Sequence, residues 1–222
     1  MGPFAFQVAS GTHEFEYPWA YFGAGAAKGT CVLQLGGGLG GLQYVLAAEG
    51  CRVVNVDNTG PRTTITTTPW GELDVNLHNR LNEVFGTDVR LIRATLADAA
   101  LAGESFDRAL CLSVFDSLPL AAARDLLAEV VRLLTPGGLV LVTAGLYFDL
   151  KPFGVLRRNC FGSNLDLYRL VEGIGLDLVR GDPRELHGFP EFDRSRVAAR
   201  VPDLFMSPYY PCVIQTMVLR KD

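Results

Sequence analysis

Histidine, paired cysteine and blocks of like charge are what this 222-residue sequence has least of. Its three histidines, His13, His78 and His187, stand far apart and none lies at metal-ligand spacing from another or from a cysteine, so no metal centre is expected. Cys31, Cys51, Cys111, Cys160 and Cys212 are scattered without a Cys-x-x-Cys pair, and they read as small apolar residues of a reducing compartment. Lys and Arg are interspersed with a slight excess of Asp and Glu, for a net charge of -4. That distribution lacks the electrostatic footprint of a protein whose partner is DNA or RNA. No apolar run approaches the roughly 18 residues of a membrane span. Residues 1–10 lack the basic and apolar regions of a signal peptide, and Phe6 stands where a myristoylation signal needs Ser or Thr. The expectation is a cytoplasmic protein without a membrane partner. Oligomeric state is not written in the sequence.

What is present is a rhythm of strand-length apolar runs alternating with amphipathic helical stretches, the pattern of a parallel sheet covered on both faces. The first strand is 31–35, followed by a glycine cluster, a helix over 41–49 and Gly50 as its stop. The second strand, 52–56, ends at Asp57. A Thr-rich stretch, 59–70, precedes a helix carrying Leu73, Leu77, Leu81 and Phe85 at four-residue spacing. Strands follow at 89–92 and 106–112. Leu126, Leu127, Val130, Val131 and Leu134 then form one stripe of a helix over 120–134, closed by Thr135-Pro136-Gly137-Gly138. Residues 138–143, 176–180 and 213–219 complete the strands, with a helix over 165–173. A loop over 181–211 holds five of the 12 prolines, and loops of that length inside a compact domain are usually functional. Ahead of everything lies an aromatic helical element, 15–22, with Pro18 in its first turn. The expected organisation is one domain over 1–222. It comprises an N-terminal helical cap (1–30), a cofactor-binding core (31–146) and a substrate-side half with the long 181–211 loop (147–222).

The run Leu35-Gly36-Gly37-Gly38-Leu39-Gly40-Gly41 joins a strand to a helix. Glycine is needed there if the chain turns sharply and a ligand lies directly on its backbone. Asp57, closing the next strand, is placed to accept the hydroxyl protons of an adenosine ribose. Strand, glycines, helix, strand and acid in this order point to a nucleoside cofactor without choosing one. Gly36, Gly38 and Gly41 satisfy the dinucleotide fingerprint, while Gly36, Gly38 and Gly40 satisfy its methyltransferase counterpart.

The wider pattern makes that choice. Val-Leu-Gln-Leu-Gly-Gly-Gly-Leu-Gly from Val32 to Gly40, Asn-Val-Asp57, the run from Ser105 to Val114, and above all Leu-Leu-Thr-Pro-Gly-Gly-Leu-Val-Leu-Val from Leu133 to Val142 resemble class I S-adenosylmethionine-dependent methyltransferases. The resemblance covers about half of the chain. It implies a seven-stranded Rossmann-like α/β sheet, mostly parallel with the last strand antiparallel, and helices on both faces. It further implies S-adenosylmethionine as cofactor and S-adenosylhomocysteine as product; the substrate is expected to be a small molecule, O-methylated slightly in preference to N-methylated. The cofactor residues it implies are Leu35, Gly36, Gly37, Gly38, Gly40, Asp57, Asn58 and Ser113, with Thr95 and Leu96 at the adenine and Asp98 as an alternative there; Tyr17 either closes over the cofactor or packs in the core. Glu16-Tyr-Pro-Trp-Ala20 resembles a bacterial subgroup acting on small metabolites or glycan precursors. Two positions depart from the family: Gln34 stands where the first motif usually has an acid, and Asp116-Ser117 where Glu-His is common.

Methyl transfer needs an aligned nucleophile, a dry site, and a base only where the nucleophile must lose a proton. Such sheets bind ligands at the carboxyl edge of their strands. Three segments project from that edge, 113–118, 147–162 and 181–211. Within them Asp116 is either a base or substrate orienter, or a cap on the helix that follows. His187 is either a proton acceptor or a solvated loop residue. Arg157 and Arg158 suit an anionic substrate or a solvated surface. Phe189, Tyr209, Tyr210 and Trp19 suit a substrate pocket or plain packing. The rival readings are a nicotinamide-dependent oxidoreductase, which the Thr-Pro-Gly-Gly motif disfavours, and a non-catalytic S-adenosylmethionine-binding protein on the same fold.

Overall fold

The computed structural model describes residues 12–58, 75–204 and 212–222, with side chains up to Ala199 in the middle stretch. Its strands are β1 (Cys31–Leu35), β2 (Arg52–Val56), β3 (Arg90–Ile92), β4 (Phe106–Leu112), β5 (Leu134–Tyr147), β6 (Leu176–Arg180) and β7 (Cys212–Lys221). They form one sheet in the order β3-β2-β1-β4-β5-β7-β6, in which only β7 runs antiparallel to its neighbours. The described helices are α1 (His13–Ala24), α2 (Gly41–Ala48), α3 (Val75–Phe85), α4 (Leu120–Leu133), α5 (Leu167–Val171) and α6 (Arg194–Leu204).

Side-chain alternation along the central strands feeds two cores, one on each face of the sheet. Ala109 and Cys111 of β4, with Val140 and Val142 of β5, face Leu127, Val130 and Leu133 of α4. Leu110 and Leu141, one residue out of step, face the other way onto Tyr17 and Ala20 of α1 and Leu42 and Leu46 of α2. All six strand residues are at most 1% exposed, as expected of strands covered on both sides. The strand directions bring Leu35, Val56, Leu112 and Tyr147 to a single carboxyl edge, where α1 also arrives.

Several elements differ from the sequence expectation. The 181–211 stretch is not one loop, because α6 occupies 194–204; Asp193 Oδ1 accepts the amides of Ser195 and Arg196 and starts it. Pro18 lies inside α1 rather than in its first turn, since the helix begins at His13. The carbonyl left without a donor is that of exposed Glu14, near the helix start, where water can satisfy it. β5 begins at Leu134, directly after α4, and the 135–138 turn becomes an irregularity in its pairing with β4 between Phe106 and Arg108. β5 also runs on to Tyr147, because β7 pairs with it from Cys212 onward. α3 begins at Val75, and Leu73 lies outside the described residues. No helix among the described residues is long and apolar enough to cross a membrane.

Candidate active site

The glycine turn is held from below by buried amides. Gly36 donates its amide to the Val56 carbonyl at 3.0 Å, Gly37 to Asn55 Oδ1 at 3.1 Å, and Gly38 to Asp57 Oδ2 at 2.7 Å. Asn55 Nδ2 and Gln43 Nε2 both donate to the Gly38 carbonyl at 3.1 Å. Gly40 closes the turn on the Gly37 carbonyl at 2.8 Å. A Cβ at Gly37 would lie 2.8 Å from Gln34 Nε2, and one at Gly40 would lie 2.5 Å from the Tyr17 hydroxyl. At Gly38, with φ of +51°, a Cβ would meet nothing within 4 Å. The turn therefore has a packed underside and an open outer face on which a ligand can rest against backbone, as an adenosyl cofactor requires. Gln34, the departure from the family motif, belongs to the underside: it is 2% exposed, and its Oε1 has no partner among the described residues.

Asp57 is buried at the end of β2, and Asn58 beside it is exposed. After β3, the Thr95 hydroxyl donates to Asp98 Oδ2 at 2.5 Å and accepts the Asp98 amide at 3.2 Å, capping the short turn that contains buried Leu96. Asp98 is thus committed to that turn.

At the ends of β4 and β5, three residues far apart in sequence converge. Ser113 adopts φ of +51°, a left-handed conformation that serine rarely takes. Its amide donates to Thr143 Oγ1 at 2.9 Å, and its hydroxyl donates to Glu16 Oε1 at 2.6 Å. The Thr143 hydroxyl donates to the same oxygen of Glu16. Tyr17, next to Glu16, is buried, stacks on His13 at 4.6 Å between ring centroids, and has its hydroxyl over Gly40. Burial, reinforced by the charge of Glu16, pushes its phenol up to about 12.

Asp116 is 4% exposed and does not cap α4, whose N-cap is Pro119 without a side-chain cap bond. Its Oδ2 accepts the Gly145 amide and the Tyr147 hydroxyl, each at 3.1 Å. Burial raises its pKa above the usual 3.8, against the opposing effect of those hydrogen bonds. Residue 163 crosses directly over it, the Ser163 amide donating to the Asp116 carbonyl at 3.1 Å.

His187 is not a solvated loop residue. Its amide donates to Gln215 Oε1 at 2.6 Å, its carbonyl accepts from Leu167, and its ring meets Phe192 edge-on at 5.3 Å. Burial lowers its pKa below 6.5, partly offset by Asp166. It shares no hydrogen bond with Asp116. Phe189 packs edge-to-face on Tyr168 at 5.5 Å and against the α4-side core, so it joins α5 to that core. Trp19 packs on the α1–α2 side. Arg157 is exposed, and Arg158 donates to the Ser117 carbonyl at 3.4 Å. Tyr209 and Tyr210 lie outside the described residues. The structure thus gathers the glycine turn, Asp57, Tyr17, Ser113 and Asp116 at one edge. It adds Glu16, which the sequence offered only as part of Glu16-Tyr-Pro-Trp-Ala20, and Thr143 and Tyr147, which the motif search did not single out. The signal for Glu16 was an acid set among the aromatic residues of α1.

A family described as a methyltransferase domain matches residues 33–142. Among solved structures, the chain is similar to the 1,6-didemethyltoxoflavin-N1-methyltransferase of Burkholderia thailandensis, solved with 1,6-didemethyltoxoflavin and S-adenosylhomocysteine. Identity is 19% and the TM-score 0.60, over 95% of this chain and 80% of that one. It is also similar to the magnesium protoporphyrin IX methyltransferase of Synechocystis PCC 6803 with bound S-adenosylmethionine, at 15% identity and a TM-score of 0.56, over 95% and 78% of the chains. A third likeness is to the [4+2]-cyclase SpnF, at 16% identity and a TM-score of 0.63, over 92% and 79%. No curated protein matches the chain in sequence.

Proposed function

The chain belongs to the class I S-adenosylmethionine-dependent methyltransferases, with S-adenosylmethionine as cofactor and S-adenosylhomocysteine as product, and we propose that it methylates a small molecule, on oxygen in preference to nitrogen. The single observation behind the choice of oxygen is Asp116. It is a buried carboxyl of raised proton affinity, oriented by Gly145 and Tyr147 at the carboxyl edge of β4. A hydroxyl must give up its proton as it is methylated, whereas a neutral amine already offers a lone pair. A carboxylate with raised proton affinity is useful in the first case and dispensable in the second.

Bound at this edge, S-adenosylmethionine supplies a methyl carbon activated by the sulfonium charge. Leu35, Gly36, Gly37, Gly38 and Gly40 provide the backbone on which it would lie, Asp57 and Asn58 its ribose contacts, Thr95 and Leu96 its adenine contacts, and Ser113 and Tyr17 its methionyl end. Asp116 accepts the proton of the acceptor hydroxyl. His187, whose pKa burial lowers, shares no hydrogen bond with Asp116 and is assigned no part in that proton transfer. Arg157 offers an exposed guanidinium to an acidic substrate group, while Trp19 and Phe189 pack against cores on opposite faces of the sheet and are assigned no substrate contact. The test is methyl transfer from labelled cofactor to panels of hydroxyl and amine acceptors, with unsubstituted protein and Asp116→Asn. O-methyl products that disappear in the variant, with S-adenosylhomocysteine affinity retained, support the reading. N-methyl products formed equally fast by both proteins overturn it.

A further inference from the structure

Glu16 is a carboxylate without a counter-charge. Its side chain is fully buried, and although Oε1 accepts the Ser113 and Thr143 hydroxyls, Oε2 has no hydrogen-bond partner among the described residues. The basic group recorded beside Oε2 is His13 Nε2, at 4.0 Å. Burial lowers the pKa of that imidazole from its usual 6.5, against the opposing pull of Glu16 itself. The other acid of the neighbourhood, Asp116, adds charge of the same sign. No lysine or arginine pairs with either among the described residues. A buried carboxylate left unpaired is costly, and a cation placed against it offsets that cost.

The position of Glu16 says which cation. Its neighbour Tyr17 sets its hydroxyl over Gly40, at one end of the glycine turn. Val114, following Ser113, lies 3.6 Å from where a Gly36 Cβ would project, at the other end. Ser113 is turned into its left-handed conformation with its hydroxyl on Glu16. Strain of this kind persists where the surroundings over-determine it, and it clusters at ligand sites.

We propose that Glu16 is the counter-charge for the α-ammonium of the cofactor's methionyl end, acting through Ser113 as a positioning residue. The proposal rests on the S-adenosylmethionine reading of the site. A rival role, a purely structural clasp holding α1 on β4 and β5, uses the same hydrogen bonds but makes different predictions. Glu16→Gln keeps size and acceptor capacity but loses charge. Glu16→Asp keeps charge but is too short to hold both hydroxyls as the parent does.

The experiment is calorimetric titration of the full chain and both variants with S-adenosylhomocysteine and with 5′-methylthioadenosine, which has the nucleoside and thioether but no amino-acid portion. Counter-charge action requires Glu16→Gln to weaken S-adenosylhomocysteine by about tenfold or more, while 5′-methylthioadenosine changes by no more than about twofold. It also requires Glu16→Asp to bind S-adenosylhomocysteine better than Glu16→Gln does. Equal losses for both ligands, no loss for either, or an Asp variant worse than the Gln variant overturns the proposal. Should the Gln variant not fold, the Asp variant decides. A loss confined to about threefold for S-adenosylhomocysteine supports charge, and a larger loss shared by both ligands overturns it. Unsubstituted protein that binds neither ligand overturns the cofactor reading itself, a failure distinct from the others.

Discussion

The amide of Gly38 and the carboxylate of Asp57 are joined by a 2.7 Å hydrogen bond, so the tip of the glycine turn and the acid that closes β2 form one unit before any ligand arrives. Asn55, two residues earlier on β2, binds the same turn through both ends of its amide. Adjacent strands thereby hold the turn in shape, and a nucleoside meets a site whose backbone needs little rearrangement. Such preorganisation reduces the ordering cost of binding.

Asp57→Ala should weaken S-adenosylmethionine by about 1.5–3 kcal/mol, the scale of a hydrogen bond to a charged group. Calorimetry on the folded variant reads the change directly. An unchanged affinity removes Asp57 from the ribose contact.

Two glycines of the turn should fail in different ways. At Gly40, an added Cβ would sit 2.5 Å from the Tyr17 hydroxyl and 2.8 Å from the Gly37 carbonyl, and the second of these is backbone that no rotamer change relieves. Gly40→Ala should therefore lose about 1–3 kcal/mol of folding stability, as overpacked sites do. Gly38 has open space around its would-be Cβ, but its φ of +51° strains any side chain placed there. Gly38→Val should lose stability to that backbone strain rather than to a clash, and the protein that folds should no longer bind the cofactor. Thermal unfolding alongside calorimetry separates the two, and a Gly38→Val protein with intact binding would displace the cofactor from the turn.

For Asp116 the fold favours the neutral acid, because its pKa is raised above 3.8. The stability it contributes is full below that value and is lost as pH rises through the raised folded pKa. At pH 7 the ionised carboxylate is therefore a burden that Asp116→Asn removes. The variant should be more stable than the parent at pH 7, with the advantage vanishing at low pH, while turnover falls by roughly 10²–10⁴-fold. Denaturant midpoints across a pH series, together with single-turnover rates, test both halves. A variant destabilised at pH 7, or one as active as the parent, contradicts the assigned role.

His78 is 1% exposed, lies 5.6 Å from Tyr44 between ring centroids, and has no hydrogen-bond partner for either nitrogen among the described residues. Burial lowers its pKa below 6.5. Its contribution to stability is present above 6.5 and is lost as pH falls through the depressed folded value. His13 and His187, shifted in the same direction, add to the effect. Stability should decline as the solution is acidified from neutrality, and His78→Phe, which keeps a ring against Tyr44, should flatten that decline. Urea midpoints with the same pH slope in parent and variant would show that His78 does not titrate against folding.

The sequence by itself determined the features that rest on local sterics and on periodicity. These are the glycine turn after β1, the acid at the end of β2, the apolar stripe of α4 and the order of strands, because backbone freedom and side-chain spacing act over a few neighbouring residues. Only the tertiary structure decided what depends on distant segments meeting. Glu16 acquires its character from Ser113 and Thr143, 97 and 127 positions away, and Asp116 from Gly145 and Tyr147 on the next strand. Gln34 departs from its family's acid, and the structure buries it beneath Gly37, beside the Asn55 amide that holds the turn. A carboxyl group carries its chemistry in the sequence, but its proton affinity and its need for a counter-charge follow from how deeply it is buried and what is buried with it. Those are properties of the packed sheet.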